Sequence, residues 1–426
     1  RRQRQMCIRD RPIGMNTYRY CFDLWESVLR NIHNERRHGM KNDARCDQSR
    51  SIEILRIGIA LSVSGAGPIA PLPDPMDVDW AAVARLGMNS KLLVQAANGL
   101  RRIGYSVSEG FRAEENGYRK FILAMNGLNL KSLSDIAALL RQGGVEYILF
   151  KGPVGQHDAY GVYFQRPSSD VDILVDRRNF PQCRALLEQA GYALPAECDR
   201  IWWRSFLGEQ HFFSVGQRRA TVDLHHRLQQ PGCPHPRNVG AFLADVATHR
   251  LNGVDIPCIS LIHATLLASL SFVKSLVQHC HAAAYLADFS ALLLRLSPAE
   301  RLELHRRAVA QDVEHSLCVA LSCAWGMFAV RVPELTTSIR VERLFGDDLA
   351  RVIFTPDDPA IVWPRLRQLL WALCDNGRPG QRLSTYIRVG GSFLASKIAR
   401  KLPAPRAQAG GFSFPESAIA GLGHSA

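Results

Sequence analysis

Tyr147–Asp176 reads YILFKGPVGQHDAYGVYFQRPSSDVDILVD, and the fold turns on how its two ends are read. Tyr147–Phe150 is a short apolar run of strand character, broken by Lys151-Gly152-Pro153. A short amphipathic piece follows. Arg166-Pro167-Ser168-Ser169 then turns the chain into a second strand that carries Asp170 and Asp172. Residues two apart in a strand share a face. Asp-Val-Asp therefore aims two carboxylates one way, while Val171, Ile173 and Val175 face the other side. Two acids side by side on a half-buried strand repel each other and gain nothing by packing. A divalent cation is the usual reason to keep such a pair.

A carboxylate-held metal centre normally needs a third acid from a neighbouring strand. Gln210–Val215 and Ala220–Leu224 alternate like the arms of a hairpin, with Gly216-Gln217-Arg218-Arg219 as the link. In Ala220-Thr-Val-Asp-Leu-His-His, Asp223 lies between Val222 and Leu224 and so points away from the core face. Asp170, Asp172 and Asp223 would then converge on one edge of the sheet and suit Mg²⁺, which favours carboxylate oxygens and keeps positions open for substrate phosphates. Two such ions serve in-line phosphoryl displacement. Gly152-Pro153 fits the same chemistry. Glycine at a helix start lets backbone N–H groups approach phosphate, and proline is favoured at the first helical position.

In its ordered combination of Phe150-Lys151-Gly152, Arg166-Pro-x-Ser169-Asp170-Val-Asp172-Ile-Leu-Val and Val222-Asp223-Leu-His225, the chain resembles the DNA polymerase β-like nucleotidyltransferase superfamily. More narrowly it resembles a family of uncharacterised bacterial nucleotidyltransferases, and His281…Tyr285-Leu-Ala-Asp288 also fits that family. The resemblance spans roughly residues 80–335. It implies an α+β catalytic domain, a mixed sheet with flanking helices, followed by an all-helical domain with a cleft between them. It also implies transfer of a nucleoside monophosphate from an NTP, with Mg²⁺ as cofactor, to an acceptor hydroxyl. Asp170, Asp172 and Asp223 would be the catalytic metal ligands, and Lys151, Gly152, Arg166 and Ser169 would bind the nucleotide. The superfamily turn is typically Gly-Ser or Gly-Gly, so Lys151-Gly152 departs from it, and a lysine charge would replace the missing hydroxyl. A small molecule, carbohydrate, peptide or RNA would each serve as acceptor. A non-catalytic nucleotide-binding scaffold that retains the fold is the alternative.

Each residue also has a plainer reading. Asp170 and Asp172 would be solvated acids on an exposed strand edge, and Asp223 would pair with Arg218 or Arg219. Lys151 would bridge to one of the aspartates, Arg166 would hold its turn by an ion pair, and Ser169 would cap that turn. His225 shares a face with Asp223, where a structural hydrogen bond competes with metal contact. His281 and Asp288, seven apart on a helix, suit an interdomain polar pair as well as a substrate contact. Trp202 and Trp203 suit core packing or base stacking.

The rest of the chain sets the frame. Its 426 residues allow two or three domains, and 47% hydrophobic with 21% charged residues is ordinary globular composition. The net charge of +13 belongs to the ends: residues 1–56 carry 13 basic and 7 acidic groups, and residues 376–426 carry 7 and 1. Nucleic acid would therefore be contacted only through basic tails. Residues 1–76 read as an N-terminal segment and linker, partly non-native, since Met6–Arg11 (MCIRDR) looks like translated adapter sequence and Leu55–Asp77 is rich in Gly and Pro. Residues 77–235 would form the catalytic domain with leading helices, 236–345 the helical domain, and 346–426 a basic tail. The longest apolar run, Leu55–Leu72, is broken by Gly58, Gly65, Gly67 and Pro68, so no membrane span is expected. The 11 scattered cysteines, without a Cys-x-x-Cys, suit reduced thiols and a cytoplasmic location.

Overall fold

A computed structural model describes residues 43–65, 68–215, 219–337, 345, 348–361 and 379–401. Met6–Arg11, most of the hairpin link at Gly216 and the last part of the basic tail lie outside the described residues.

Four helices lead in: α1 (Asp43–Ser64), α2 (Trp80–Asn89), α3 (Leu93–Arg102) and the long α4 (Glu109–Gln142). Asp79 and Ser108 cap α2 and α4 by accepting from Ala82 N and Phe111 N. β1 (Tyr147–Leu149), α5 (Gly152–Tyr160), β2 (Asp170–Val175), α6 (Phe180–Gln189) and β3 (Tyr192–Ala193) follow. The antiparallel arms β4 (Glu209–Ser214) and β5 (Thr221–His225) come next. After a short α7 (Gly240–Ala244), a second hairpin, β6 (Val246–Leu251) and β7 (Val254–Ile259), precedes a run of helices. These are α8 (Leu261–Val277), α9 (Ala283–Arg295), α10 (Pro298–Ala310), α11 (Glu314–Phe328) and α12 (Leu349–Phe354), with α13 (Pro379–Lys401) beyond them. No described helix is long and apolar enough to cross a membrane.

The strands form one mixed seven-stranded sheet in the order β3-β4-β5-β2-β1-β7-β6. Together with the flanking helices and the helical run, this is the expected α+β architecture. The sheet buries its two faces differently. Val171, Ile173 and Val175 of β2 and Val222 and Leu224 of β5 pack, in one cluster, with Leu133, Ile136 and Leu140 of α4 and with Cys183 and Leu187 of α6. Ile148, Phe150 and Leu174, on the opposite face, join a larger cluster made by the leading and trailing helices together. Strand alternation thus turns Asp170, Asp172 and Asp223 toward the helical body and away from α4 and α6.

Three expectations are corrected. The span read as a basic tail from residue 346 contains α12, whose Val352, Ile353 and Phe354 are fully buried in the larger cluster. The span read as uncertain segment and linker contains α1, whose Ile54, Leu55, Ile57, Ile59 and Ala60 are fully buried. Gly58 marks a close helix crossing. A Cβ on Gly99 of α3 would sit 1.8 Å from the Gly58 carbonyl oxygen, and one on Gly58 would sit 2.6 Å from that of Ala96. The helical run also starts later than Pro236, because β6 and β7 come first. Their two-residue turn is Asn252-Gly253, with φ of 51° and 79°, the conformation that a primed hairpin turn demands. β7 pairs in parallel with β1, so the hairpin extends the sheet that holds the acids.

Gly99→Ala tests the close crossing. Alanine in a helix interior normally stabilises by about 1 kcal/mol relative to glycine. Here the clash is with backbone, and overpacking costs about 1–3 kcal/mol. The variant should therefore unfold at lower denaturant, and equal or greater stability would show that α1 does not pack there.

Candidate active site

The site is built where β2 and β5 run side by side. Their parallel register sets Asp172 opposite Asp223, Asp170 opposite Thr221 and Leu174 opposite His225. β4 then pairs Glu209 with His225 and His211 with Asp223. One sheet face thus gathers Asp170, Asp172, Asp223, His225, Glu209 and His211. Asp172, Asp223 and His225 are buried.

Electrostatics in this cluster is crowded. Burial, followed by the Asp172 and Asp223 charges, pushes the Asp170 carboxyl up to about 7. Burial also opposes the charge on Asp172, but Lys151 and His225 outweigh it and hold this carboxyl down at about 2. Lys151 Nζ lies 3.5 Å from Asp172 Oδ1, and His225 Nε2 lies 3.3 Å from the same oxygen. Desolvation disfavours charge on His211, yet the Asp223 and Glu209 carboxylates, 2.6 and 3.6 Å away, raise its pKa well above the ordinary histidine value. Desolvation likewise opposes charge on half-buried Glu209, but its two histidine neighbours hold it below the usual carboxylate range.

Asp223 Oδ1 and His225 Nε2 are buried, and each has an ionic neighbour, His211 Nδ1 at 2.6 Å and Asp172 Oδ1 at 3.3 Å. These two residues, with Asp172, bring ligand atoms within 4.8 Å of one another. The donor set of two carboxylates and an imidazole, with Asp170 beside it, fits a divalent cation.

The phosphate side of the site is the start of α5. Lys151 is the N-cap, in extended conformation, and no side chain caps the helix by hydrogen bond. Gly152 follows with φ of +80°, and its added Cβ would meet only ordinary contacts, at 3.5 and 3.7 Å from Ser168 Oγ and the Asp170 carbonyl oxygen. Backbone conformation, more than space, is what requires glycine there. Pro153 occupies the first turn, where its missing N–H leaves no donor to satisfy. Lys151 Nζ also lies 4.7 Å above the Phe150 ring.

Of the remaining residues singled out in the sequence, Arg166 pairs with Asp288 of α9 at 2.6 Å. Tyr160 donates to the same carboxylate at 2.7 Å. His281 is not part of this group and lies with Nδ1 3.1 Å from the Phe354 carbonyl oxygen. Ser169 is half-buried beside Asp170, while Ser168 is buried and faces Gly152. Trp203 packs edge-on to His211 at 4.8 Å, and Trp202 donates to Ser392 of α13. Asp223 meets His211, Arg219 donates to the Ala190 carbonyl oxygen, and Arg218 lies outside the described residues.

Several supporting residues escaped the sequence pattern. Asn126 of α4 donates to the Tyr163 and Arg166 carbonyl oxygens and accepts from Ser168 N. Asn129 donates to the Asp170 carbonyl oxygen at 2.5 Å. Gln156 Oε1 accepts from Gln165 N and Arg166 N. These amides hold the Arg166–Ser169 turn from behind. Their signal is polarity on an otherwise apolar helix face. Glu209 and His211 follow the same two-residue spacing as Asp223 and His225 and become visible once β4 is paired to β5.

Among known proteins, no curated protein and no solved structure matches the chain. A family model described as uncharacterised nucleotidyltransferase matches residues 76–329, more than half of the chain, from just before α2 to the end of α11. That span contains the whole acid cluster and the uncapped α5 start, and the chain belongs to this uncharacterised nucleotidyltransferase family.

Proposed function

We propose that this nucleotidyltransferase moves a nucleoside monophosphate from an NTP to an acceptor hydroxyl and depends on Mg²⁺. In that reaction the acceptor oxygen forms a bond to the α-phosphorus. The bond from that phosphorus to the β-phosphate oxygen breaks, pyrophosphate leaves, and the hydroxyl proton is lost. The observation that carries the reading is the buried group Asp172, Asp223 and His225, with ligand atoms within 4.8 Å of one another beside Asp170, next to an uncapped helix start.

Asp170, Asp172 and Asp223 would hold two divalent ions. When bound, such ions neutralise phosphate charge and lower the pKa of the attacking hydroxyl. The α5 start at Gly152 would present free N–H groups to the triphosphate. Lys151, 3.5 Å from Asp172, would contribute its charge to a phosphate bound there. Arg166 is matched to Asp288, so its part is to fix the turn that delivers Ser169 and Asp170. Small-molecule, carbohydrate, peptide and RNA acceptors remain compatible with this chemistry.

Asp172→Asn and Asp223→Asn each remove a charge from the cluster without changing side-chain size. Both variants should bind Mg·ATP at least about tenfold more weakly in calorimetry, since even groups that only support metal ligands are worth about 10–100-fold. Unchanged binding by both would sink the assignment. Because His225 adds a nitrogen donor, Mn²⁺ should bind the wild type more tightly than Mg²⁺.

The raised Asp170 carboxyl gives a second test. Its folded pKa, about 7, lies above its ordinary value of 3.8. The metal-free folded protein therefore keeps a proton that the unfolded chain has released, and stability falls as pH rises through that window. The raised His211 acts in the same direction above the ordinary histidine pKa. The depressed Asp172 and Glu209 change the balance only at the acid end. In chelator, Tm should decline from about pH 4 toward about pH 7, and Mg²⁺ should restore more of it at the upper end. A metal effect independent of pH would contradict the buried, repelling cluster.

A further inference from the structure

A second group of ligating side chains lies on the far side of α5. His157 and Asp158 sit on that helix, and His249 sits on β6 at the sheet edge. One ligand atom from each falls within 4.8 Å of the others. His249 Nε2 lies 2.6 Å from Asp158 Oδ1. The His157 and His249 rings meet nearly at right angles, 88°, with centroids 5.4 Å apart. His157 is also stacked on Tyr163 at 4.5 Å, which fixes its plane. All three side chains are half-buried.

We propose that His157, Asp158 and His249 bind a divalent transition metal of the zinc type, separate from the acid cluster. Two imidazoles and one carboxylate are zinc ligands, with bonds of about 2.0–2.2 Å that place neighbouring donors about 3.4 Å apart in a tetrahedron. From the observed spacing, closure requires shifts of about 1 Å, within the reach of side-chain rotation at half-buried positions. Of the three, Asp158 also lines a cavity together with Lys151, Gly152 and Arg166. Mg²⁺ is a poor fit because it prefers an all-oxygen shell.

A plain ion pair explains Asp158 and His249 but not His157. Among the described residues the His157 ring makes aromatic contacts and neither of its nitrogens makes a hydrogen bond. An imidazole held in plane by Tyr163, with its nitrogens unused beside a carboxylate–histidine pair, is what a third ligand looks like before metal arrives. The consequence is mechanical. A metal would clamp α5 to the β6–β7 hairpin, and α5 begins at Gly152.

The difference between the two explanations makes His157 the decisive position. Full-length protein, stripped with chelator, is titrated with Zn²⁺ by calorimetry, and Co²⁺ absorption reports tetrahedral nitrogen and oxygen ligation. His157→Gln keeps the Asp158–His249 contact, so metal-free stability should fall only by the lost ring contacts with Tyr163 and His249, while one equivalent of zinc, and its thermal stabilisation, is lost. His249→Gln should lose the same equivalent. Asp172→Asn, which alters the acid cluster, should retain it, so the two sites fail or succeed separately. The proposal is overturned if His157→Gln binds zinc with wild-type stoichiometry and affinity. It is equally overturned if wild type shows no equivalent sensitive to His157.

Discussion

Three carboxylates held on one sheet face, with burial around them, are the constraint from which the rest of the structure follows. Asp170, Asp172 and Asp223 are fixed by backbone pairing between β2 and β5, which side-chain rotation cannot undo. Relief must come from the groups around them. Lys151 and His225 lean on Asp172, and His211 leans on Asp223. Asp170 receives the least help and shows it in a carboxyl pushed up to about 7 by burial and by the other two acids. Such a cluster raises the energy of the folded state in water and lowers it when a divalent cation is bound. The same logic explains why the turn behind it is over-braced by Asn126, Asn129 and Gln156. A strand forced to carry repelling charges is kept in place by amides that cannot themselves titrate.

The two-residue period of Asp-Val-Asp decided the faces of β2, and the pairing of β2 with β5 obeys it. Lys151-Gly152-Pro153 likewise announced a strand end and a helix start, and Gly152 has the positive φ that only glycine adopts without strain. What stayed hidden depends on partners far along the chain. Gly58 reads as a break in an apolar run, because a glycine at a helix crossing is indistinguishable in sequence from one in a linker. Only Gly99, 41 positions later, gives it meaning. Glu209 and His211 joined the site through strand register, which periodicity within one strand does not contain. The Asn252-Gly253 turn carries its own chemistry, which a reading of 236–345 as wholly helical leaves unused.

The charges also bear on how substrate would reach the proposed site. Arg166 is satisfied by Asp288, and Lys151 by Asp172, so both cations singled out in the sequence already have carboxylate partners. Glu209 adds a fourth acid to the sheet face. A bare triphosphate approaching this surface meets like charge at close range, where reduced dielectric makes repulsion strong. Neutralisation would have to come with the nucleotide, as its divalent complex, or from an ion already held by the acids. Lys151 would then leave Asp172 for phosphate only as the metal took its place. On the proposed reading, the ion pair seen here and the phosphate contact are two successive states of one lysine, exchanged at the same carboxylate oxygen.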